Sequence, residues 1–427
     1  SDGIPLTDAI TGALITHADT EGLDYGDILE YGRKTGGPAL RKMTFQERGL
    51  MLKKLALYLS KRKEDFYKLS YRTGATRVDS WIDIEGGFGN LFVNASLRRQ
   101  FPNQTFHIDG PPVDLSRGGS FIGHHIMVPR EGVAVHINAF NFPVWGMLEK
   151  CAVNWMAGVP AVVKPATSTS YLAEAVVREI IASGILPEGA LQLICGPART
   201  LLDTVDSQDV VTFTGSAATG RLLKVHPGII ENAVPFTMEA DSLNCSVLAE
   251  DAVPGTPEFE LFIKEVRKEM TVKCGQKCTA IRRIIVPENL MEDVQIALGK
   301  ALAKVTIGDP HLIKEVRMGA LVNKDQVLEV KDKVREIAET AALVYGDLDT
   351  VETIGADADK GAFMSPVLLR EDQPFKNITV HETEAFGPVS TLMPYKTMDE
   401  AIALSKMGKG SLCSSIVTYN DTLASAY

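Results

Sequence analysis

A chain of 427 residues, 45% hydrophobic and 23% charged, has the composition of a folded protein with more than one hydrophobic core. Its formal net charge is −10 and it has no long basic run, which argues against a nucleic-acid or anionic-membrane surface, because both need clustered Lys and Arg. We therefore expect two or three domains and a small-molecule substrate.

The sequence also predicts neither a membrane span nor a disulfide scaffold. The longest apolar region, residues 146–165, is interrupted by Glu149, Lys150 and Lys164 and is too polar to span a bilayer. The first residues lack the cationic start and apolar block of a secretory signal. The six scattered cysteines suit a reducing compartment, so we expect a cytoplasmic protein.

The first predicted elements are a helix and a hairpin. Apolar residues recur at helical spacing between Phe45 and Leu69, which predicts an amphipathic helix. Residues 101–128 carry Pro and Gly turn signals between short β-prone pieces, which is typical of a hairpin-like excursion. His124 and His125 lie there, but adjacent side chains on a strand point to opposite faces, so they predict no metal site.

A regular alternation of strands and helices begins at Gly132. Strands are predicted at "GVAVHIN", "PAVVKP", "LQLICG" and "DVVTFTG", and helices at 145–157, 171–184, 198–205 and 216–224. This alternation implies right-handed crossovers and a parallel sheet of the dinucleotide-binding kind. Ligands of such a sheet bind at the carboxyl ends of its strands.

A second alternating stretch starts near Pro235. Strands are predicted at "PFTMEA", "CSVLAE" and "AIRRIIVP", and helices near 258–272 and 288–305. The sequence therefore predicts a second α/β domain.

Two segments of the first stretch are candidates for phosphate or ribose binding. In "FTGSAATG", residues 213–220, the Gly215 turn, Ser216 as N-cap and the helix N–H groups make a place for a phosphate, although Gly followed by Ser is also an ordinary helix start. Lys164 ends another strand, where its charge is either solvated or directed at a ribose hydroxyl or phosphate.

Three polar residues are candidates for catalysis. Asn138 and Asn141 lie among apolar residues, and a buried amide without a partner costs about 1–3 kcal/mol. They are either turn or capping residues before Pro143 or amide donors for an oxyanion. Glu239, at the end of a predicted strand, is either a partnered structural acid or a general base.

Cys274 and Cys278 lie four positions apart in "KCGQKCTA". On a helix this spacing places both sulfurs on one face, but zinc needs further ligands and no nearby CxxC or HxxxH supplies them. A disulfide does not suit the expected compartment. A buried inert thiol and a reactive thiolate remain as the two alternatives.

Five separated motifs together resemble the aldehyde dehydrogenase superfamily, in the family's order and over nearly the whole chain. Segments such as "HINAFNFP" and "GQKCTAIRRIIVP" look most like the dehydrogenase domain of the PaaZ-type bifunctional enzymes of phenylacetate degradation. The semialdehyde dehydrogenase of benzoyl-CoA breakdown is a more distant match. The five motifs are "NFP" (141–143), "KPA" (164–166), "FTGSAATG" (213–220), "ME" (238–239) with "GQKC" (275–278), and "ETEAFGP" (382–388).

The resemblance implies a fold and a division into domains. A Rossmann-like parallel-sheet cofactor domain would occupy 1–100 and 129–234, and a second α/β catalytic domain 235–427, with a carboxyl-terminal end truncated relative to the family. Residues 101–128 would be a small β hairpin for oligomerisation, which implies a homo-oligomer.

The resemblance also implies a mechanism. Cys278 is then the nucleophile that attacks an aldehyde to give a thiohemiacetal, while Asn141 and the backbone N–H of Cys278 hold the oxyanion. Hydride passes to the nicotinamide and leaves a thioester on Cys278, and Glu239 activates the water that hydrolyses it. A thiolate is nucleophilic enough for this role with modest activation.

The same resemblance assigns the cofactor contacts. Many NAD-preferring members carry a glutamate that pairs with the ribose 2′-hydroxyl, where this chain has Thr167. Without that carboxylate a 2′-phosphate is not repelled, so we expect NADP rather than NAD, with NAD as the alternative. The implied cofactor-binding residues are Lys164, Thr167, Gly215, Ser216 and Gly220 for the adenosine and pyrophosphate part, and Glu384 and Phe386 for the nicotinamide ribose and ring.

We therefore expect an NAD(P)-dependent aldehyde dehydrogenase that forms a carboxylic acid, with no metal. The resemblance implies a CoA-linked semialdehyde of aromatic acid catabolism as the substrate, namely 3-oxo-5,6-dehydrosuberyl-CoA semialdehyde. One alternative is a CoA-acylating dehydrogenase, against which Glu239 counts, since such enzymes generally lack this base. The other is a catalytically silent binding subunit. The loop "EADSLN" lacks the two glycines that many members have after the base, so its shape is expected to differ.

Overall fold

A computed structural model describes residues 3–427 of the chain; Ser1 and Asp2, which the first predicted domain includes, lie outside the described residues. The chain forms two compact units. The predicted boundary at residue 235 precedes the boundary between the units, after Ala240, by one strand. The first unit holds the described residues up to Leu6, Thr16–Leu69 and Ser80–Ala240, and the second holds Thr7–Ile15, Ser70–Asp79 and Asp241–Tyr427.

Fifteen strands and fourteen α-helices make up the described chain. The strands are β1 Ile4–Thr7, β2 Leu14–Ala18, β3 His107–Asp114, β4 Ile122–Met127, β5 Ala134–Ile137, β6 Ala161–Lys164, β7 Leu191–Leu193, β8 Val210–Thr214, β9 Phe236–Glu239, β10 Cys245–Leu248, β11 Arg283–Pro287, β12 Ala342–Tyr345, β13 Val367–Arg370, β14 Val389–Tyr395 and β15 Ser414–Val417. The helices are α1 Tyr25–Tyr31, α2 Gly37–Lys42, α3 Phe45–Ser60, α4 Lys63–Tyr71, α5 Arg77–Leu97, α6 Pro143–Met156, α7 Ser170–Ala182, α8 Ala217–Lys224, α9 Pro227–Glu231, α10 Pro257–Thr271, α11 Met291–Leu302, α12 Lys324–Ile337, α13 Met398–Lys406 and α14 Asp421–Ala426.

The first unit contains a five-stranded, all-parallel sheet in the order β7-β6-β5-β8-β9. The chain runs outward from β5 to β7 on one side and then returns to β8 on the other, which makes the gap between β5 and β8 a topological switch point. Apolar side chains of these strands, such as Val135, Val162 and Val211, are buried in one core. The predicted α/β fold with a dinucleotide-binding type of sheet is confirmed.

The second unit contains a six-stranded sheet in the order β12-β13-β14-β11-β10-β15, parallel except at β12. The side chains of successive residues of β11 pack into hydrophobic cores on opposite faces of the sheet. Ile285 belongs to one core, and Ile284 and Val286 belong to the other. A sheet covered on both faces needs apolar residues at every position, which explains the continuous apolar run in this strand. The predicted second α/β fold is thus also present.

Residues 107–127 form an antiparallel hairpin of β3 and β4, as predicted. Its apolar side chains are largely exposed, including Val113 at 58%, Phe121 at 63% and Ile126 at 56%. His124 and His125 are consecutive residues of β4.

Two predicted helices differ from the structure. The prediction of one helix from Phe45 to Leu69 was wrong, because the chain turns after Ser60 and begins α4 at Lys63, which lets Phe66 pack edge-on against Phe88 at a centroid distance of 6.1 Å. The prediction of a helix at 198–205 was also wrong, because only a 3-10 turn, Leu201–Thr204, forms there. Both leucines of that turn are anchored in the core, and four residues are too few for a stable α-helix.

No described helix combines the length and the apolar character needed to cross a membrane.

Candidate active site

The carboxyl edge of the five-stranded sheet brings together four of the predicted site residues. Ile137 of β5 is in register with Lys164 of β6, and Thr214 of β8 is in register with Glu239 of β9. Asn138 and Gly215 follow directly, so polar groups from four strands converge where ligands of such sheets bind.

The predicted phosphate turn lies at the end of β8. Ser216 is the N-cap of α8, and its Oγ accepts a hydrogen bond from the backbone N–H of Thr219 at 3.3 Å. At Gly220 an added Cβ would lie 2.5 Å from the Met238 Sδ, so glycine lets the helix approach the sheet closely. Ser216 is exposed. This exposed helix N-terminus fits the pyrophosphate of a dinucleotide.

Lys164 is a half-buried cation without a counter-charge. Burial lowers the pKa of Lys164, and no carboxylate forms an ion pair with it in the described part of the chain. Thr167 opens the 3-10 turn that leads into α7, and its carbonyl accepts a hydrogen bond from Ser170. A half-buried cation with no ion-paired carboxylate among the described residues suits an anionic ligand such as a phosphate.

Glu239 presents a carboxylate that makes no hydrogen bond or ion pair with any described residue. Its backbone carbonyl accepts a hydrogen bond from the Gly215 N–H at 3.2 Å. The residue is half-buried. Its carboxylate oxygens therefore keep their accepting capacity for a water molecule, as a general base requires.

Asn141 lies just before α6, whose start is fixed by a residue that the sequence analysis missed. The carboxylate of Asp83, itself 3% exposed, accepts the backbone N–H groups of Val144 at 3.0 Å and Trp145 at 2.8 Å. Pro143 occupies the first turn, where its missing N–H costs nothing. Asn141 is buried, and its amide makes no hydrogen bond to the described residues, so its N–H remains available as a donor.

Asn138 and Thr214 lie in corresponding positions on either side of the switch point. The buried amide of Asn138 and the hydroxyl of Thr214 both lack a hydrogen-bond partner among residues 3–427. Buried polar groups of this kind are normally satisfied by ordered water or by a ligand. A polar cofactor at this edge fits them.

The second unit gathers its predicted site residues at the amino edge of the six-stranded sheet. Cys278 precedes β11, Glu384 and Phe386 precede β14, and Asn244 precedes β10. Since these strands are parallel, their amino ends share one edge. Cys278 is half-buried and Cys274 is buried.

The segment before Cys278 is a strained turn. Lys273, Cys274 and Gly275 have consecutive φ values of 52°, 54° and 65°, a left-handed conformation that is costly for the first two. The two cysteines therefore do not share a regular helix. Cys274 is 1% exposed within an apolar core, and burial raises the pKa of its thiol far above the usual range. Burial and a raised pKa fit the buried, inert thiol of the two alternatives.

Glu384 is held by two partners within the second unit. Its Oε1 lies 3.1 Å from the Arg282 Nε, and its Oε2 accepts the Ser242 N–H at 2.9 Å. Burial raises the pKa of Glu384, and the positive charge of Arg282 opposes this shift. The Arg282 guanidinium also lies 5.4 Å from the centroid of the Phe386 ring.

Asn244 anchors the turn that carries Cys278. Its Nδ2 donates to the carbonyls of Cys278 at 2.8 Å and Ala280 at 2.9 Å. Its Oδ1 accepts the backbone N–H of Cys413 at 3.0 Å and the hydroxyl of Ser242 at 2.7 Å. Ser242 belongs to the loop predicted to differ after the base, and this network shows what its hydroxyl does.

Sequence reasoning missed Arg282, Asn244 and Asp83 as positioning residues. A signal for the first was present: two adjacent arginines interrupt the apolar segment "AIRRIIVP", and a buried charge needs partners. Nothing local in the sequence indicates what Asn244 and Asp83 contact.

Comparison with known proteins identifies the family. The model of the aldehyde dehydrogenase family matches residues 8–427. The chain belongs to the aldehyde dehydrogenase family. It is 40% identical over 416 residues to a 3,4-dehydroadipyl-CoA semialdehyde dehydrogenase of Aromatoleum evansii, covering 97% of this chain and 81% of the relative. The predicted family and an NAD(P)-dependent enzyme that oxidises an aldehyde are thus confirmed.

Solved structures give the same fold. A lactaldehyde dehydrogenase from Escherichia coli superposes with a TM-score of 0.85 at 23% identity, over 99% of this chain and 84% of the other. A succinic semialdehyde dehydrogenase from Streptococcus pyogenes, in complex with NADP+, gives 0.84 at 20% identity, over 99% and 88%. At these identities the likeness shows the aldehyde dehydrogenase fold.

Proposed function

We propose that this aldehyde dehydrogenase oxidises a CoA-linked semialdehyde to a carboxylic acid, with NADP as the preferred cofactor. The proposal of hydrolysis rests on the carboxylate of Glu239 at the end of β9, which makes no hydrogen bond or ion pair with any described residue. An enzyme that hydrolyses its thioester intermediate to an acid needs a general base to deprotonate the attacking water. An enzyme that transfers the acyl group to coenzyme A does not need this base. The CoA-acylating alternative is therefore disfavoured.

Each residue has a role in the proposed reaction. Cys278 attacks the aldehyde carbon through its thiolate, and the Asn141 amide stabilises the developing oxyanion. Loss of hydride converts the thiohemiacetal to a thioester on Cys278. Glu239 then takes a proton from water, which attacks the thioester and releases the acid with a free thiol.

The nicotinamide cofactor, when bound, accepts the hydride. The Ser216 helix N-terminus and Lys164 would hold its phosphates and ribose, and Glu384 and Phe386 its nicotinamide half. Support for NADP comes from Lys164, which has no ion-pair partner within residues 3–427, and from the uncharged Thr167. A structural neighbour was solved with NADP+ and another with NAD+, so the fold accepts both.

The substrate proposal rests on the relative that acts on a CoA-linked semialdehyde at 40% identity. That substrate and 3-oxo-5,6-dehydrosuberyl-CoA semialdehyde share an unsaturated chain, a CoA thioester and a terminal aldehyde. Both chemicals are intermediates of the kind expected in aromatic acid catabolism. Six free cysteines support a reducing, cytoplasmic compartment for this role.

We also propose that the enzyme works as a homo-oligomer. The hairpin of β3 and β4 exposes Val113, Phe121 and Ile126, which is an unusual amount of apolar surface for a two-stranded element. Sedimentation measures the mass of the wild type and of Ile126→Asp in solution. A smaller assembly in the variant than in the wild type supports the proposal, and a wild type and variant that are both monomers contradict it.

The assay of the proposed function measures reduced nicotinamide with NADP or NAD and a panel of simple and CoA-linked aldehydes, with and without added coenzyme A. We expect turnover without coenzyme A, release of a carboxylic acid, and a higher kcat/KM with NADP. Turnover that requires coenzyme A and yields an acyl-CoA would contradict hydrolysis.

A further inference from the structure

Two adjacent arginines, the residue before β11 and its first residue, are both buried but contact different parts of the second unit. Arg282 is 4% and Arg283 1% exposed. The Arg283 guanidinium contacts His381 and donates to the carbonyls of Leu404 and Ser405, all outside the predicted site, and its one contact beside the site network is the Leu243 carbonyl. Consecutive residues of an extended chain point to opposite sides, which explains the separation. Only Arg282 is directed at the predicted site.

One end of the Arg282 guanidinium contacts the segment assigned to the nicotinamide half of the cofactor. Its Nε pairs with the Glu384 Oε1 at 3.1 Å, and its Nη1 donates to the Gly387 carbonyl at 2.8 Å. The Phe386 ring centroid lies 5.4 Å away. Because the Ser242 N–H holds the other carboxylate oxygen, the orientation of Glu384 is fixed from two sides.

The other end contacts the segment that carries the nucleophile. The Nη2 donates to the Gly275 carbonyl at 2.8 Å and to the Lys277 carbonyl at 3.4 Å, directly before Cys278. The two segments also approach through their backbones: a Cβ on Gly275 would lie 2.1 Å from the Gly387 carbonyl oxygen. One side chain thus bridges the two segments, beside the point where Gly275 packs against Gly387.

We propose that Arg282 is a positioning residue that sets the spacing between the Cys278 thiol and the nicotinamide bound at Glu384 and Phe386. This inference rests on the proposed function, since it takes the cofactor roles of those two residues from it. Hydride transfer needs close alignment of the reacting atoms, and small misplacements are costly. The planar fork of arginine contacts three carbonyls and a carboxylate at once, which a lysine ammonium with three donors cannot reproduce.

The variants are Arg282→Lys, Arg282→Gln and Glu384→Gln, with Arg283→Lys as the matched control for loss of a buried guanidinium. Four quantities are measured for each: the thermal midpoint, the dissociation constant of NADP+, the rate of Cys278 alkylation by iodoacetamide, and kcat for an aldehyde that the wild type oxidises. The second and third need no turnover.

We expect Arg282→Lys to lower kcat by about 10–100-fold, because the reacting groups are then misplaced. The same variant should weaken NADP+ binding and change the rate of Cys278 alkylation. Arg283→Lys should lower the thermal midpoint and change the other three values far less, because its one contact beside the site network is the Leu243 carbonyl. The double variant of Arg282→Gln and Glu384→Gln should weaken NADP+ binding by less than the sum of the free-energy changes of the two single variants, because both break the same pair.

A merely structural role predicts a different pattern. If Arg282→Lys lowers only the thermal midpoint, as the Arg283 variant does, the proposal is overturned. If the wild type oxidises no aldehyde, the proposed function fails separately, and NADP+ binding and Cys278 alkylation decide the positioning role. Changes in the Arg282 variants that are much larger than those in Arg283→Lys support it, and unchanged values overturn it.

Discussion

The backbone N–H of Gly215 donates a hydrogen bond to the backbone carbonyl of Glu239, with an N–O distance of 3.2 Å. The phosphate turn and the proposed base therefore extend from one ladder of the parallel sheet. Gly220 packs α8 against Met238 of the same β9 strand. A shift of β8 or β9 would displace the predicted phosphate turn and the proposed base together.

Cys278→Ala should abolish turnover, while Cys274→Ala should keep most of it. Cys278 is half-buried on the turn before β11, whereas Cys274 lies in an apolar core where burial raises the pKa of its thiol. The Cys274 variant should lose stability by about 1 kcal/mol for the sulfur removed from a packed site. Reduced nicotinamide formation and thermal unfolding measure the two effects. Equal losses of activity would show that the thiols act as a pair.

Glu239→Gln should give a burst of reduced cofactor followed by slow turnover. The amide cannot deprotonate water, so the thioester on Cys278 accumulates, and the steady rate should fall by about 10²–10⁴-fold. Stopped-flow absorbance separates the burst from the steady rate. Loss of the burst itself would assign Glu239 to activation of the thiol instead.

Thr167→Glu should turn the cofactor preference from NADP toward NAD. A carboxylate at the start of the 3-10 turn before α7 would repel a 2′-phosphate near Lys164, and we expect kcat/KM with NADP to fall by at least about tenfold, or roughly 1.4 kcal/mol. Thr167→Gln, of the same size without the charge, is the control. Equal effects of the two variants on NADP use would contradict the assignment.

Much of the first unit was predictable, because its strands and helices can be recognised from short stretches of sequence. Apolar strands ended by "KPA" and "FTGS" indicate both the parallel sheet and the residues at its carboxyl edge. The amino edge of the second sheet was not predictable from such signals. Glu384, Ser242 and Arg282 are far apart in sequence, and their network depends on the register of strands that the sequence does not encode locally. The family resemblance supplied Glu384 and Phe386 but not Arg282.

Two buried histidines predict how stability depends on pH. Burial lowers the pKa of His136 to about 4 and that of His381 to about 4. An unfolded histidine titrates near pH 6.5, so between about pH 6.5 and 4 the unfolded chain binds more protons and the folded state loses stability as pH falls. At pH 5 the loss is roughly 2 kcal/mol for His136 and smaller for His381.

The pH effect is measured by urea unfolding of the wild type and His136→Gln between about pH 7 and 5, the range in which histidine titrates. The variant should show the shallower decline, because it lacks one of the two groups. His124→Gln, on the exposed hairpin, is the control and should follow the wild type. A decline in His136→Gln as steep as in the wild type would show that this histidine does not cause it.

Mass spectrometry of Glu239→Gln, after incubation with NADP+ and a CoA-linked semialdehyde, tests whether Cys278 carries the acyl group that Glu239 normally helps to hydrolyse. We expect one acyl group per chain, located on the peptide that contains Cys278, and no such adduct when the cofactor is omitted or in the double variant with Cys278→Ala. Acylation of another residue, or an adduct that persists in the Cys278→Ala double variant, would show that Cys278 is not the nucleophile.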